Sequence, residues 1–447
     1  MTIKLRPETV KNLEPEIAKF IEQSAVVSGS IIDVVPSITL LLKAEGLLPK
    51  EGPTRQQLDR FVGERSLAAF IPDELRERLA GHKYDPEKPR EPLLKVLGIE
   101  DPSPLARELL QALQELPRSY QFTLLLPRTL SEFVERLPPV RSFGPMVRLV
   151  HDADEIKRVV EAKPQFGGLA NALMNLSLAS APLSKAALQV QIDGFVPRFS
   201  GSETADQAHG VLKSFFGLGI AVGLLKTADY PQPQTIRLSM LVHHTNQEDS
   251  APLSRIPLTD AETTAISGLS YAAKSPRDRT NLSDAERLMA EMEMILSVPE
   301  QHQLLLRACR WLFDSHVSED PLLSFVQATV VLEILLGDKG SSEEVGLTTL
   351  LANRCAYMVG ASTSERSNII KNFKALYGTR SKIVHSGKHN LTSSEQIQLH
   401  QLRALGRRVI CAEIRLAIEE MRRERIRVVA QERRAATGPE AGAISAR

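Results

Sequence analysis

Cysteine is scarce in this chain of 447 residues, and its placement excludes two classes of stabilising site. The three cysteines, Cys309, Cys355 and Cys411, are odd in number, far apart and without CxxC spacing. This pattern argues against a disulfide framework and against a zinc site, and it is typical of a reducing compartment. We therefore expect three structural thiols in a cytoplasmic protein.

Long apolar runs and a large net charge are also missing. The longest apolar run, FFGLGIAVGLL at 215–225, is too short for a membrane span, which needs about 20 residues. The formal net charge is +1, so any nucleic-acid site must be a local basic surface. The glycines fit neither GxGxxG nor GxxxxGK[ST]. Gly219 and Gly223 lie four apart, a spacing that suits close helix packing.

A metal site and a cofactor are not expected. His243 and His244 are neighbours at the end of a predicted strand, where successive side chains point to opposite faces of the sheet. No acidic or histidine partner stands at a familiar spacing from them. The sequence therefore predicts no metal and no cofactor.

Periodicity predicts an α+β multidomain protein with three regions. Residues 1–117 show helical spacing in PEIAKFIEQSAVV, RQQLDRFVGERSLAAF and SPLARELLQALQEL. Residues 118–280 mix helical stretches with the strand-like segments QFTLLLP, MVRLV, AALQVQI and TIRLSMLVHH. After the polar stretch SPRDRTNLSD, residues 284–434 are predicted to be an all-α bundle, and 435–447 a disordered tail.

Five helices are predicted in the C-terminal bundle. The first follows a capping box at Ser283 and Glu286 and reaches His316, with a break at Pro299 left open. The second, PLLSFVQATVVLEILLG, is nearly all apolar and therefore central. The third is VGLTTLLANRCAYMVG, the fourth opens on Ser364 and stops near Ser386, and the fifth begins near Ser393.

The segment LYGTRSKIVHSGKHN at 376–390 places an arginine and a histidine five positions apart. Arg380 keeps its charge and can bind phosphate oxygens through two nitrogens. His385 can serve as a base or an acid, because an imidazole titrates near neutrality. Histidine is rare here, 10 in the chain, so this pair marks a candidate catalytic site.

With its upstream helices, this segment resembles the Apea-like branch of the HEPN domains over residues 290–420. The matching positions are Leu332, Glu333, Arg354, Ala356, Glu365, Arg366, Tyr377 and Arg380 to His385. One departure is Ser386, which stands where the family often has glycine directly after the histidine. The resemblance implies a metal-independent ribonuclease with an RNA substrate, whose site forms in a homodimer through the HEPN domain.

The spacing of Arg380 and His385 poses a geometric difficulty. Five residues at 3.6 per turn place the two side chains about 140° apart on a regular helix. Either the helix ends at His385 and frees the imidazole, or two copies meet on a twofold axis and share one cleft. The resemblance favours the second arrangement.

Several neighbours are predicted to support the pair. Ser381 and Lys382 shape or charge the cleft. Tyr377 either stacks on a base or packs, with packing favoured. Glu333, a charge in an apolar helix, either forms a structural ion pair or orients the catalytic residues.

Four basic residues near the motif, Lys374, Lys388, His389 and Arg408, are candidates for RNA contact. Acidic residues lie among them, so a solvated helix face is the other interpretation. The leading hypothesis is a defence or abortive-infection RNA endonuclease, whose residues 1–280 respond to a phage-derived or nucleotide trigger or restrain the nuclease. The alternative is a non-catalytic HEPN module that binds RNA or nucleotide and mediates dimerisation.

Overall fold

The structure is a computed structural model of the chain. It describes residues 2–27, 31–79, 90–135, 137–161, 185–197, 201–228, 234, 237–245, 252–272, 279–337 and 346–436. These residues form a mixed α+β protein with a sheet in the middle of the sequence and helices in its C-terminal part, as predicted.

The chain divides into two compact units. The first takes the described residues of Met1–Arg141, Met146–Gly210 and Gln234–Thr263. The second takes those of Ser142–Pro145, Val211–Pro233 and Thr264–Arg447. These units group the elements differently from the predicted regions 1–117, 118–280 and 284–434. The division into those three regions therefore stays a prediction.

The N-terminal part consists of short helices around one apolar core, because each helix carries an apolar stripe. The helices are α1 (Pro7–Gln23), α2 (Ile38–Ala44), α3 (Pro53–Phe61), α4 (Ser66–Arg78), α5 (Leu93–Leu97) and α6 (Ser103–Gln114). Asp101 accepts a hydrogen bond of 2.9 Å from the N–H of Ser103, which fits the predicted start of α6.

Two sequence predictions in this part are wrong. The residues Ala25–Val27 do not continue α1 but form strand β1, which pairs antiparallel with β2 (Ile31–Asp33) and β3 (Arg90–Pro92). Ser24 is already extended, and the two valines suit a strand better than a helix. The predicted helix over 55–70 is broken at Gly63, whose φ of +111° no helix contains. Most of GHKYDPEKPREP lies outside the described residues.

A six-stranded sheet lies in the middle of the sequence, in the order β10-β9-β4-β7-β6-β5. Its strands are β4 (Arg118–Leu125), β5 (Val140–Phe143), β6 (Val147–Val150), β7 (Ala187–Gly194), β9 (Ser239–His244) and β10 (Ser254–Pro257). The long strand β4 pairs antiparallel on both sides, so Phe122 lies opposite both Val190 and Val242. The four strands predicted from the sequence are all present, whereas the short β5 and β10 were missed.

The other elements of this part are the helices α7 (Arg128–Val134), α8 (Ala153–Glu161), α9 (Glu203–Val222) and α10 (Asp260–Ser267), and a two-stranded pair, β8 (Leu225–Lys226) and β11 (Ser270–Tyr271). His243 is buried and its neighbour His244 is half-buried. Burial lowers the pKa of His243 to about 4, so this histidine is neutral at physiological pH.

The C-terminal part is helical: α11 (Arg279–Ser297), α12 (Gln303–Val317), α13 (Pro321–Leu336), α14 (Leu347–Val359), α15 (Thr363–His385) and α16 (Ser393–Ala436). The central apolar helix α13 packs against α12, α14, α15 and α16. The first predicted helix is two helices, separated around Pro299. It also begins before Ser283, so the predicted capping box there is wrong. Residues 437–447, most of the predicted disordered tail, lie outside the described residues.

The cysteines lie in the second unit. Cys309 and Cys355 are buried, Cys411 is half-buried, and all three are free thiols. Burial raises the pKa of each thiol, to about 12 at Cys355. The Cys411 thiol donates a hydrogen bond of 3.2 Å to the carbonyl of Ala221. These are structural thiols, as predicted.

Close packing of α9 on α12 depends on Gly217. A Cβ at this position would overlap with the carbonyl oxygen of Cys309. The sequence predicted this role for Gly219 and Gly223. A Cβ on Gly219 would meet only the side chain of Leu225. Gly223 lies after the end of the helix and has a positive φ. The glycine that allows close approach therefore lies one half-turn earlier.

We expect Gly217→Ala to lower the free energy of unfolding by about 1–3 kcal/mol, because two backbones must move apart. Denaturant unfolding followed by circular dichroism measures this change. The matched control is Gly378→Ala in α15, where a Cβ meets no described atom within 4 Å. That variant should be more stable by about 0.5–1 kcal/mol. Equal effects of the two substitutions would contradict the packing role of Gly217.

Candidate active site

The helix that carries the Arg380–His385 pair is fixed at its start by reciprocal hydrogen bonds. The side chain of Ser362 accepts from the N–H of Glu365 at 3.2 Å, and the Glu365 carboxylate accepts from the N–H of Ala361 at 2.9 Å. The sequence predicts that this helix opens on Ser364. The cap is instead Ser362, because a capping box requires a glutamate three residues after the cap, and that residue is Glu365. The bond from Ala361, followed by that from Arg408, lowers the pKa of Glu365.

The same helix ends at His385, so this histidine is its last residue. The N–H of Ser386 still donates to the carbonyl of Lys382 at 3.0 Å, and Gly387 then turns the chain with a φ of +60°. This left-handed position suits glycine. The serine that departs from the family pattern thus serves as the helix cap, and His385 is exposed to solvent.

Three of the predicted site residues lie together between α13 and α15. The Glu333 carboxylate accepts a hydrogen bond of 3.3 Å from the Tyr377 hydroxyl and lies 3.6 Å from a terminal nitrogen of Arg380. The side chains of Glu333 and Arg380 are 26% and 29% exposed, so solvent partly screens this ion pair. At 3.6 Å the guanidinium makes no hydrogen bond to the carboxylate.

Tyr377 packs and does not offer its ring to a base. It is buried, and its ring stacks on Phe373 with 4.8 Å between centroids and an interplanar angle of 12°. Burial raises the pKa of Tyr377, and the neighbouring Glu333 carboxylate raises it further. The hydroxyl therefore stays protonated and remains a hydrogen-bond donor to Glu333.

His385 lies apart from this cluster. Ser381, Lys382 and His385 are exposed, whereas the guanidinium of Arg380 lies against α13. The helix is regular through His385, so the offset of about 140° between the two side chains applies. Among the described residues, no hydrogen bond or ion pair joins Arg380 to His385. One chain therefore presents an arginine and a histidine on different sides of one helix.

The four candidate RNA-contacting residues divide into two pairs. Lys374 and His389 are exposed and directed to solvent. Lys388, in contrast, forms an ion pair with Glu395. Arg408 binds the Glu365 carboxylate at 2.5 Å and the carbonyl of Val359 at 2.8 Å. Acidic partners therefore already compensate the charges of Lys388 and Arg408, and their contact with RNA stays a prediction.

The Glu395 cluster fixes the turn that follows His385 and was missed by the sequence reasoning. Glu395 binds Lys388 and accepts from the N–H of Thr392 at 2.8 Å and from its hydroxyl at 2.7 Å. These bonds, with Lys388 the largest cause, lower the pKa of Glu395 to about 2. The signal was present in the sequence, since Thr392 and Glu395 have capping-box spacing at the start of α16.

Two further positions of the resemblance are structural in this chain. Arg354 donates a hydrogen bond of 2.9 Å to the carbonyl of Leu336, at the end of α13. Arg366 donates to the carbonyl of Gly360 at 3.1 Å and lies over the ring of Tyr357, 5.2 Å from its centroid. Both arginines hold helix ends together.

Comparisons with known proteins assign neither a family nor a function to this chain. No family model, no curated protein and no solved structure matches the chain. Within the described ranges, no helix is long and apolar enough to cross a membrane. Nor do three or more histidine, cysteine, aspartate or glutamate side chains of those ranges come together in a way that could hold a metal ion.

The Glu395 cluster predicts a pH dependence. A carboxylate with a lowered pKa stabilises the fold fully above its unfolded pKa, about 4.5, and this contribution disappears as the pH falls through the folded pKa, about 2. We expect Glu395→Gln to be less stable than the wild type at pH 7, and the difference to shrink from pH 4.5 towards pH 2. Urea unfolding over this range measures it. A difference that stays constant down to pH 2 would refute the lowered pKa.

Proposed function

We propose that this chain is a metal-independent RNA endonuclease of the HEPN type, acting in the cytoplasm, in which Arg380 and His385 carry the reaction. The observation that supports the proposal most is the arrangement around RSKIVH. The helix ends at His385, which exposes the imidazole. Earlier in the same helix, Tyr377 and Arg380 both contact the Glu333 carboxylate of α13.

The chemistry fits these two residue types. In metal-free cleavage the 2′-oxygen attacks the adjacent phosphorus and the bond to the 5′-oxygen breaks, which leaves a 2′,3′-cyclic phosphate and a 5′-hydroxyl. A histidine takes the proton of the 2′-hydroxyl, and a second acid returns a proton to the 5′-oxygen. An arginine stabilises the charge that grows on the phosphoryl oxygens. In a dimer, Arg380 of one copy and His385 of the other would form one such pair.

Glu333 is proposed to be a positioning residue. Its carboxylate lies 3.6 Å from Arg380, which fixes the guanidinium without a hydrogen bond and leaves its donors available for a phosphate. Tyr377, held by its hydroxyl and its stacked ring, keeps the carboxylate in place. Arg380 is then preorganised before RNA binds, which lowers the cost of ordering a long side chain.

A twofold dimer would complete the site. The offset of about 140° prevents one regular helix from directing both groups at one phosphate. Two copies that meet with their α15 helices would place Arg380 of one copy near His385 of the other. We further propose that the nuclease serves in anti-phage defence and that residues 1–280 respond to a phage-derived or nucleotide trigger, or restrain the nuclease.

A second candidate function is a non-catalytic HEPN module that binds RNA or nucleotide and mediates dimerisation. The ion pair between Arg380 and Glu333 favours it, because an arginine that is already partnered can be purely structural. RNA binding without cleavage, unaffected by His385→Ala, would indicate this function.

The first test is RNA cleavage in the presence of EDTA. We expect the wild-type protein to produce fragments with 2′,3′-cyclic phosphate ends. His385→Ala should lower the rate about 10²- to 10⁴-fold, because a proton-transfer group is lost. Arg380→Ala should lower it about 10²- to 10³-fold, because charge stabilisation is lost.

The matched control is His400→Ala, which removes another exposed histidine, from the first part of α16. It should leave the rate within about threefold of the wild type, since changes at exposed surface positions have small effects. Cleavage that persists unchanged in His385→Ala and Arg380→Ala would overturn the proposed function.

Mixing the two inactive variants tests whether the site is shared between copies. A heterodimer of Arg380→Ala and His385→Ala contains one intact Arg380 and one intact His385, on different chains. If the pair acts across the dimer, we expect the mixture to recover a measurable part of the wild-type rate. A mixture as inactive as its components would show that each site needs both residues from one chain.

A further inference from the structure

The charged residues of α16 (Ser393–Ala436) are not spread evenly around the helix. Between residues 413 and 432 the sequence contains five glutamates and five arginines, so this segment has no net charge. Four of the glutamates line a groove that α16 forms with α12 and α13, and these are Glu413, Glu420, Glu424 and Glu432. Of the five arginines, only Arg425 lines this groove. The helix therefore has an acidic side and a basic side.

The remaining four arginines form the basic side, which we call the outer arginine face; they are Arg415, Arg422, Arg423 and Arg427. At 3.6 residues per turn they lie within about 140° of the helix circumference and along about 18 Å of its length. All four are exposed, and the side chains of Arg423 and Arg427 are 75% exposed. Among the described residues 413–432, Glu419 is the one glutamate outside the groove lining. Four arginines against one glutamate leave the face strongly positive.

The ion pairs of these arginines are weak or absent. Within the part of the chain that the structure describes, no carboxylate pairs with Arg415 or Arg422. Arg423 and Arg427 lie 3.6 and 3.5 Å from glutamates of the same helix. These pairs are exposed and contribute little, because water screens them. Arg408 is not counted in the face, because a glutamate of α15 already binds it.

The composition of the outer arginine face suits a chain of phosphate groups. Helix α16 contains ten arginines and no lysine. A guanidinium binds two oxygens of one phosphate at once, whereas an ammonium acts as a point charge. A membrane surface fits less well, because a helix that lies among lipid headgroups inserts a continuous apolar face. Among the described residues from 413 onwards, Ile426 is the one exposed large apolar side chain outside the groove.

We propose that the outer arginine face binds the phosphate backbone of RNA, as a site separate from Arg380 and His385. Contacts to phosphates carry no sequence information, so the face holds RNA strands of any sequence. The choice of RNA as the polyanion rests on the proposed function, because a protein that cleaves RNA must hold the strand. The face then supplies affinity, and the two catalytic residues supply the chemistry.

The outer arginine face lies well away from the catalytic residues along the chain's helices. Arg408 of α16 binds Glu365, near the start of α15, whereas His385 is the last residue of α15. Twenty residues of helix separate Glu365 from His385, which corresponds to about 30 Å. The face begins at Arg415, beyond Arg408. Substitutions in it therefore leave Arg380 and His385 untouched.

The test measures RNA binding at several salt concentrations. The probe is a fluorescein-labelled polyuridine strand, and the protein is the full chain with His385→Ala, in EDTA, so that cleavage does not interfere. Each arginine that binds a phosphate of a single strand adds about 0.7 to the slope of log K against log salt concentration. Replacing all four arginines of the face by glutamine should lower the magnitude of this slope by about 3.

The matched control replaces four exposed arginines elsewhere in the second unit by glutamine: Arg287, Arg307, Arg310 and Arg425. Both variants lose the same net charge, and glutamine has a helix propensity close to that of arginine. The control should change the slope by less than about 1. Circular dichroism checks that both variants keep their helix content.

Three results would overturn the proposal: a chain that binds no RNA, an unchanged slope in the outer-face variant, or an equal change in the control. Binding of the face to phosphatidylserine vesicles, with RNA binding unaffected, would assign it to a membrane surface instead. Cleavage by the wild type is measured separately. RNA cleavage without the expected change of slope would refute the face alone. RNA binding through the face by a chain that cleaves no RNA would refute the nuclease alone.

Discussion

Helix α13 is almost entirely apolar, and the single charge in its sequence, Glu333, determines how α15 can lie against it. A carboxylate that is about three-quarters buried is stabilised by a hydrogen-bond donor or a cation beside it. Helix α15 meets this requirement with two residues three positions apart, Tyr377 and Arg380, which therefore lie on nearly the same side of the helix. With that side turned inwards, His385 must point elsewhere. The separation of the two candidate catalytic residues thus follows from the partner that Glu333 needs.

The order of elements around this contact was largely predictable, because it depends on local patterns. Apolar spacing located the central helix α13 and the helix that ends at His385, and alternating segments located β4 and β9. Gly387 and the capping residues marked helix ends within one or two positions. Where the sequence reasoning failed, two local signals competed. Ala25–Val27 follows a helical pattern with β-branched residues, and Ser283 has capping spacing inside a longer helix.

The site was less predictable, because its geometry depends on which long side chains find partners. Proximity in sequence suggested that Lys388 and Arg408 belong to one basic surface. In the folded chain each of them meets a glutamate, Glu395 and Glu365, and only one of these glutamates is close in sequence. For Glu333, in contrast, the sequence did suggest a partner, since one of the two predictions was that it orients the catalytic residues. Its carboxylate lies 3.6 Å from the guanidinium of Arg380, which is 47 positions away in sequence. Charge pairs between helices are long-range contacts, and periodicity does not reveal them.

The three thiols have a practical consequence for work on this protein. A thiol reacts as the thiolate, and burial keeps Cys309, Cys355 and Cys411 protonated at neutral pH. Maleimide and other thiol reagents should therefore react slowly with the native chain. A cysteine introduced at an exposed position would be modified in preference to all three. The wild-type chain is thus a suitable background for attaching one fluorophore or spin label at a chosen place.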